Sequence, residues 1–171
     1  QKIEQDPKLD EFIRRLDTEL LQKDINPAQK LVVFSESKET TTHIVKHLKA
    51  KGRNDVLEIH SDNRDRLKQT IRDNFDANIP RENYKNDFNI IIATEVLAEG
   101  VNLHRSNVIV NYDTPWNSTR LMQRIGRVNR IGSVAPKVYI FNFYPTAKVN
   151  SDIELEKKAI MKLQAFHSAL G

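Results

Sequence analysis

Apolar residues recur along the chain at two alternating spacings. Over residues 7–22 they return every three or four positions, which is typical of an amphipathic helix. The run "KLVVFS" that follows is short, apolar and rich in β-branched residues, as in strands that are buried on both faces. The pattern predicts strands within residues 30–35, 55–60, 89–94, 107–113 and 137–143. It predicts helices over residues 7–22, 39–51, 64–75, 117–130 and 152–170.

Alternating strands and helices indicate an α/β fold. We expect a parallel sheet of about five to six strands with helices on both faces and ligands at the C-terminal ends of the strands. The 171 residues are enough for one such domain and too few for two. The domain is assigned to residues 1–150, and residues 151–171 form a last helix that packs on it or extends from it. Polar loops are predicted at residues 76–87 and 144–151.

Composition excludes several classes of protein. A hydrophobic fraction of 39% beside 29% charged residues, without a run of about 18 apolar residues, excludes membrane insertion. The absence of cysteine excludes disulfides and thiolate metal sites and fits a cytoplasmic, intracellular protein. A net charge of +4 permits contact with phosphate groups without requiring it. The chain begins with Gln rather than Met, so we expect it to be a piece of a longer protein.

Polar residues at two predicted strand ends are candidates for ligand binding. Thr94 ends the strand "NIIIAT", and the loop amides around Gly100, with the Asn102 side chain, suit phosphate oxygens and a sugar hydroxyl. A strand followed by a turn with a capping threonine explains the same residues. Asp113 ends the strand "NVIVNYD", but a single carboxylate is more often a turn or cap residue than a metal ligand. No metal site is predicted in the chain.

Three arginines are crowded onto one predicted helix. Arg124, Arg127 and Arg130 share a broad face beside an apolar stripe. Like charges at this spacing cost about a few tenths of a kcal/mol each in an isolated helix, which suggests an anionic partner. Gly126 disfavours the helix by roughly 1 kcal/mol and permits close approach of a ligand or another backbone. Three solvated arginines on a surface helix remain the alternative.

Four segments together carry a family resemblance. The segments "KLVVFSESKETTTHIVKHLKAKG", "EIHSDNRDRLKQTIRDNF", "ATEVLAEGVNLHRSNVIVNYDTPWN" and "QRIGRVNRIG" occur in the order of motif IV, the strand and helix after it, motif V with its extension, and motif VI. The chain resembles the second RecA-like domain of a superfamily 2 helicase or translocase. Within that group it is most similar to the Swi/Snf-type ATPases, especially their bacterial members.

The resemblance implies roles at an ATP site. The arginines that match Arg127 and Arg130 are arginine fingers, which reach the γ-phosphate of ATP held by a first RecA-like domain. Gln123 is placed beside the nucleotide, and Gly100 and Asn102 near its ribose. Arg124 supports the arginine motif by holding it in position. Its partner is Asp113 or a motif V carboxylate, Glu95 or Glu99.

The resemblance also implies a nucleic-acid partner. Four residues match positions near the nucleic-acid backbone: Thr94, Ser35, Lys38 and Thr41. Double-stranded DNA is favoured as the track, while RNA is used by architectural relatives.

The sequence contains no GxxxxGKS/T motif. The resemblance therefore assigns the β- and γ-phosphates and Mg²⁺ to an absent N-terminal RecA-like domain of the same full-length chain. We expect the isolated domain to be inactive. Two alternatives stay open: an ATP-independent nucleic-acid-binding or protein-interaction module, and a doubly wound small-ligand domain with a closed pocket inside this chain.

Overall fold

Five parallel strands form the centre of the protein. In the computed structural model, residues 6–94, 102–113 and 137–143 are described. The strand order is β2-β3-β1-β4-β5, and every neighbouring pair is parallel. This confirms the predicted α/β class and parallel sheet, with five strands in the described part of the chain. The strands are β1 (Leu31–Phe34), β2 (Val56–Ile59), β3 (Ile90–Ala93), β4 (Val108–Asn111) and β5 (Tyr139–Asn142).

The first two helices begin close to their predicted starts because a side chain caps each of them. Helix α1 (Pro7–Arg15) is capped by Asp6, whose carboxylate accepts from the Leu9 N–H at 3.1 Å, and a π-helical turn (Leu16–Leu20) continues it. Helix α2 (Lys38–Ala50) is capped by Ser37, whose hydroxyl accepts from the Thr40 N–H at 3.1 Å. The predicted helices over 117–130 and 152–170, and the boundary at residue 150, lie outside the described residues.

Helix α3 (Lys68–Phe75) starts four residues later than predicted. The Asn63 side chain closes a turn after β2, accepting from the His60 N–H at 3.0 Å and donating to the Glu58 carbonyl at 2.9 Å. The apolar spacing over residues 64–75 did not reveal this turn, because an asparagine side chain that bonds nearby backbone competes with helix.

The helices cover both faces of the sheet. Alternate strand residues, such as Val33 and Ile92, point to the face covered by α1 and α2, where Phe12 is fully buried. The intervening residues, such as Val32 and Ile91, face α3. Every residue of β1, β3 and β4 is buried, as expected for a sheet covered on both sides.

One buried arginine holds the polar loop at residues 76–87 in place. Arg105 is 5% exposed, and its guanidinium donates to the carbonyls of Asn74 and Lys85 at 3.0 and 2.9 Å and to Asn86 Oδ1 at 2.7 Å. It also lies 4.1 Å from the Tyr84 ring centroid. These contacts hold the loop against the N-terminal edge of the sheet. None of the helices in the described ranges is long and apolar enough to cross a membrane.

Candidate functional site

The C-terminal edge of the sheet brings together polar residues from four strands. Phe34, Ala93 and Asn111 lie level with one another in the strand register. The residues that follow these strands, and those that follow β2, therefore share one edge, where ligands bind in folds of this class. They include Ser35, His60, Thr94 and Asp113.

Asp113 joins three parts of the fold. Its Oδ1 lies 3.2 Å from Lys8 Nζ, and its Oδ2 accepts from Ser35 Oγ at 3.1 Å and from the Glu36 N–H at 3.2 Å. Lys8 also sits 4.4 Å from the ring centroid of Tyr112, and burial raises the pKa of the Tyr112 hydroxyl. The carboxylate thereby connects α1, the loop between β1 and α2, and the end of β4.

The predicted partner of Asp113, Arg124, lies outside the described residues. Sequence reasoning missed Lys8 and the Glu36 N–H as partners. The alternation of apolar residues in α1 indicated a packing helix, but it did not show that the start of this helix reaches the end of β4.

Three of the predicted nucleic-acid contacts lie close together: Ser35 follows β1, and Lys38 and Thr41 lie in the first turn of α2. Ser35 and Thr41 are fully buried, and the Thr41 hydroxyl donates to the Ser37 carbonyl at 3.0 Å. Lys38 is different, because 56% of its side chain is exposed. In this structure Ser35 and Thr41 shape the loop between β1 and α2, whereas Lys38 presents its charge to solvent. Their assignment to a nucleic-acid backbone stays a prediction.

Lys38 has an acidic partner in the turn after β2. Its Nζ donates to Asp62 Oδ2, and this hydrogen bond, together with the positive charge, lowers the pKa of the Asp62 carboxyl. His60 Nδ1 lies 3.9 Å from the same carboxylate. On the other side of the ring, His60 Nε2 lies 3.6 Å from Glu58, which accepts from the Thr42 hydroxyl at 2.6 Å.

Thr94 lies where β3 reaches the C-terminal edge. Its N–H donates to the Ile59 carbonyl at 3.3 Å, and its buried Oγ1 has no hydrogen-bond partner among the described residues. Asn102 is half-buried and precedes Leu103, which is buried in the core on the α3 face. The remaining predicted site residues lie outside the described ranges: Gly100, Gln123, Arg124, Arg127 and Arg130.

Metal ligands and pockets in the described part of the chain also bear on ligand binding. This part has no group of three or more His, Cys, Asp or Glu side chains arranged to hold a metal ion. An open depression of about 490 Å³ is lined by Gly52, Arg53, Asn54, Asp55 and Asp87. Because residues 52–55 precede β2, this depression lies at the N-terminal edge, away from the predicted ligand edge.

Comparison with known proteins identifies the family. Residues 11–132 match the helicase conserved C-terminal domain. The uncharacterized ATP-dependent helicase YqhH of Bacillus subtilis (strain 168) is 36% identical over 88 residues, which are 52% of this chain and 15% of YqhH. The ATP-dependent RNA helicase DBP2 of Candida glabrata is 30% identical over 135 residues, which are 78% of this chain and 22% of DBP2.

The fold has a counterpart among solved structures. A Dbp5 variant of S. cerevisiae bound to RNA and ADP BeF3 matches with a TM-score of 0.61 at 24% identity, over 91% of this chain and 35% of that one. The chain spans 15% and 22% of the lengths of YqhH and DBP2. The family match covers most of the chain, from α1 to the end of "QRIGRVNRIG". The chain therefore belongs to the helicase conserved C-terminal domain family of superfamily 2.

Proposed function

We propose that this chain is the C-terminal motor domain of an ATP-dependent helicase or translocase that acts on nucleic acid. The observation that carries the proposal is the family match over residues 11–132, which includes all four motif segments in order. The parallel sheet adds support, because the C-terminal ends of β1, β2, β3 and β4 lie at one edge. An N-terminal RecA-like domain would complete the ATP site and hold Mg²⁺.

In this proposal Arg127 and Arg130 are the catalytic arginines. Negative charge spreads over the γ-phosphoryl group and its leaving oxygen during hydrolysis, and a guanidinium placed there stabilises the transition state. Gln123, Gly100 and Asn102 would contact the nucleotide, and Arg124 would hold the motif in position. Asp113 fits a supporting role because it directly precedes residues 114–136 and is bonded to Lys8 of α1 and to Ser35 after β1.

The second half of the proposal is a nucleic-acid track along the same edge. Lys38 presents an exposed ammonium there, and Thr94 has a buried hydroxyl without a hydrogen-bond partner among the described residues. ATP binding would close the cleft between the two domains, and hydrolysis would open it. If the two domains bind the nucleic-acid backbone in turn, each cycle moves the enzyme one step along a strand. Contacts of this kind carry little sequence preference and depend strongly on salt.

The nature of the track is the finer part of the proposal. The Swi/Snf-type resemblance of the motifs, shared with bacterial members of that group, favours double-stranded DNA. DBP2, by its name, is an RNA helicase. ATP turnover by the complete enzyme, measured with double-stranded DNA and with single-stranded RNA, separates the two tracks, and we expect the larger stimulation from DNA.

The catalytic assignment is tested with Arg127→Ala and Arg130→Ala in the complete enzyme. We expect each to lower nucleic-acid-stimulated ATP turnover by about 10³-fold or more, with nucleic-acid binding kept. Arg72→Ala, on the exposed side of α3, is the matched control and should leave turnover unchanged. The isolated 171-residue chain should not hydrolyse ATP.

Two results would contradict the assignment. ATP turnover by the isolated chain that Arg127→Ala abolishes would place a whole ATP site inside these residues. Tight nucleic-acid binding without turnover by the complete enzyme, unaffected by either arginine, would favour an ATP-independent binding module instead.

A further inference from the structure

Lys38, the exposed cation among the predicted nucleic-acid contacts, already holds an anion from its own chain. Lys38 is the first residue of α2, and Asp62 lies in the turn after β2 at the same edge of the sheet. Their side chains are 56% and 61% exposed. An ion pair this exposed contributes little to the stability of the fold, so its position at the predicted ligand edge is the feature to explain.

Asp113 and Asp62, which both bond to residues 35–38, are held in different ways. Asp113 accepts from Ser35 Oγ and the Glu36 N–H and pairs with Lys8, and 32% of its side chain is exposed. Asp62 extends into solvent and receives the Lys38 ammonium. Asp113 is therefore built into the fold, whereas Asp62 can separate from Lys38 by side-chain rotation alone.

The chemistry of the Asp62 carboxylate resembles that of a nucleic-acid phosphate. Both are monoanions that offer oxygen acceptors to an ammonium group. The hydrogen bond and the charge of Lys38 lower the pKa of Asp62 and so favour its ionised form. His60 also faces this pair, with its Nδ1 3.9 Å from Asp62 and its Nε2 3.6 Å from Glu58.

We infer that Asp62 is an internal competitor that occupies Lys38 until a nucleic-acid phosphate displaces it. The inference rests on the proposed function, since it concerns the same nucleic-acid site. When the phosphate binds, Lys38 exchanges one anion for another, and Asp62 is left facing the phosphate backbone. Both effects lower affinity, so Asp62 sets how tightly the domain grips its track and how readily it releases it between steps.

The test uses the 171-residue chain and fluorescence anisotropy with a labelled single-stranded DNA, a duplex DNA and a single-stranded RNA. Asp62→Asn should tighten binding by about threefold at low salt, a factor in the range expected for one exposed ion pair. Asp65→Asn is the matched control: it changes the net charge equally and lies three residues away, but Asp65 is 96% exposed and contacts Arg64, at 3.8 Å, rather than Lys38.

A double variant isolates the pair. Lys38→Met should weaken binding and reduce the slope of log affinity against log salt by about 0.9 for the duplex and about 0.7 for the single strands. In the Lys38→Met background, Asp62→Asn should bring no more than the gain seen with Asp65→Asn. Circular dichroism of each variant checks that the fold is intact, and the exposure of both side chains favours that result.

The outcomes separate this inference from the proposed function. If Lys38→Met weakens binding but Asp62→Asn and Asp65→Asn behave alike, the competitor role is wrong and the nucleic-acid site stands. If Asp62→Asn tightens binding equally with and without Lys38, the effect is general electrostatics and the competitor role is again wrong. If the wild-type chain binds none of the three nucleic acids, the nucleic-acid part of the proposed function fails, and the inference fails with it.

Discussion

The two edges of the sheet hold their cations in different ways. At the N-terminal edge Lys30 is fully buried, its Nζ donates to the Phe88 carbonyl at 2.7 Å, and it lies 5.0 Å from the Phe75 ring centroid. Arg105, at the same edge, donates its hydrogen bonds to backbone carbonyls and to Asn86 Oδ1. At the C-terminal edge Lys38 is exposed and bonds to a carboxylate that can move away.

This difference separates cations that serve the fold from those available to a ligand. A buried ammonium or guanidinium loses its hydration, so its acceptors must be fixed protein groups, and a ligand could take them only by breaking the fold. An exposed ammonium keeps water around it and exchanges anions at little cost. We therefore expect substitutions of Lys30 and Arg105 to change stability and substitutions of Lys38 to change binding.

The largest effect is expected for Arg105→Ala. The substitution leaves the carbonyls of Asn74 and Lys85 without their donor beneath the loop, and buried acceptors that lose a charged donor are costly. The free energy of unfolding should fall by about 3 kcal/mol, measured by urea denaturation. Arg105→Lys is the control: it keeps the charge but lacks the planar fork, and it should lose less. A loss below about 1 kcal/mol for Arg105→Ala would show that the loop at residues 76–87 keeps its conformation without Arg105.

A smaller, pH-dependent effect is expected at Lys30. Burial, with repulsion from Arg105, lowers the pKa of Lys30 from its usual 10.5 to about 7. Between these two pH values the unfolded chain binds the proton that the folded chain has lost, so stability rises as pH increases through this window. The gain should be about 2 kcal/mol between about pH 7 and about pH 9, measured by denaturant unfolding.

Lys30→Met is the matched variant for this effect. It fills similar space without a titrating group, so its stability should not rise with pH over the same window. If the slope persists in Lys30→Met, other groups produce the pH dependence and the burial of the Lys30 charge is not its cause.

The smallest effect on stability is expected for Lys38→Met. An exposed ion pair contributes about 0 to 1 kcal/mol, so the unfolding curve should barely move. The same variant should weaken nucleic-acid binding, which is the reverse of the pattern expected for Arg105→Ala. A loss of stability as large as that of Arg105→Ala would remove the distinction between the two edges.

Much of the fold could be predicted from hydrophobic spacing. All five predicted strands are present in the described ranges. Every residue of β1, β3 and β4 is buried, as expected for short apolar runs in a sheet covered on both faces. The start of α3 was misplaced because the Asn63 turn depends on two side-chain hydrogen bonds that leave no periodic signal. The contacts of Arg105 were missed for a related reason, since its acceptors are backbone carbonyls and an amide, which no charge pattern reveals.

The candidate site could be predicted less completely. Lys38 and Asp113 were identified by motif position, but their partners Asp62 and Lys8 are 24 and 105 residues away in sequence. Such pairings follow from the order in which strands enter the sheet. The roles of Arg127 and Arg130 stay predictions, since both residues lie outside the described ranges.

The sequence by itself determined the alternation of strands and helices, the motif order and, through that order, the helicase family of the domain. These properties are local, because they depend on apolar spacing and on side chains close together in the chain. Only the tertiary structure decided which edge holds which charges. Parallel strands carry Ser35, Asp62 and Asp113 to one edge of the sheet and leave Lys30 and Arg105 buried at the other. That separation between exposed and buried cations gives Lys38, rather than Lys30, the freedom to exchange its anion.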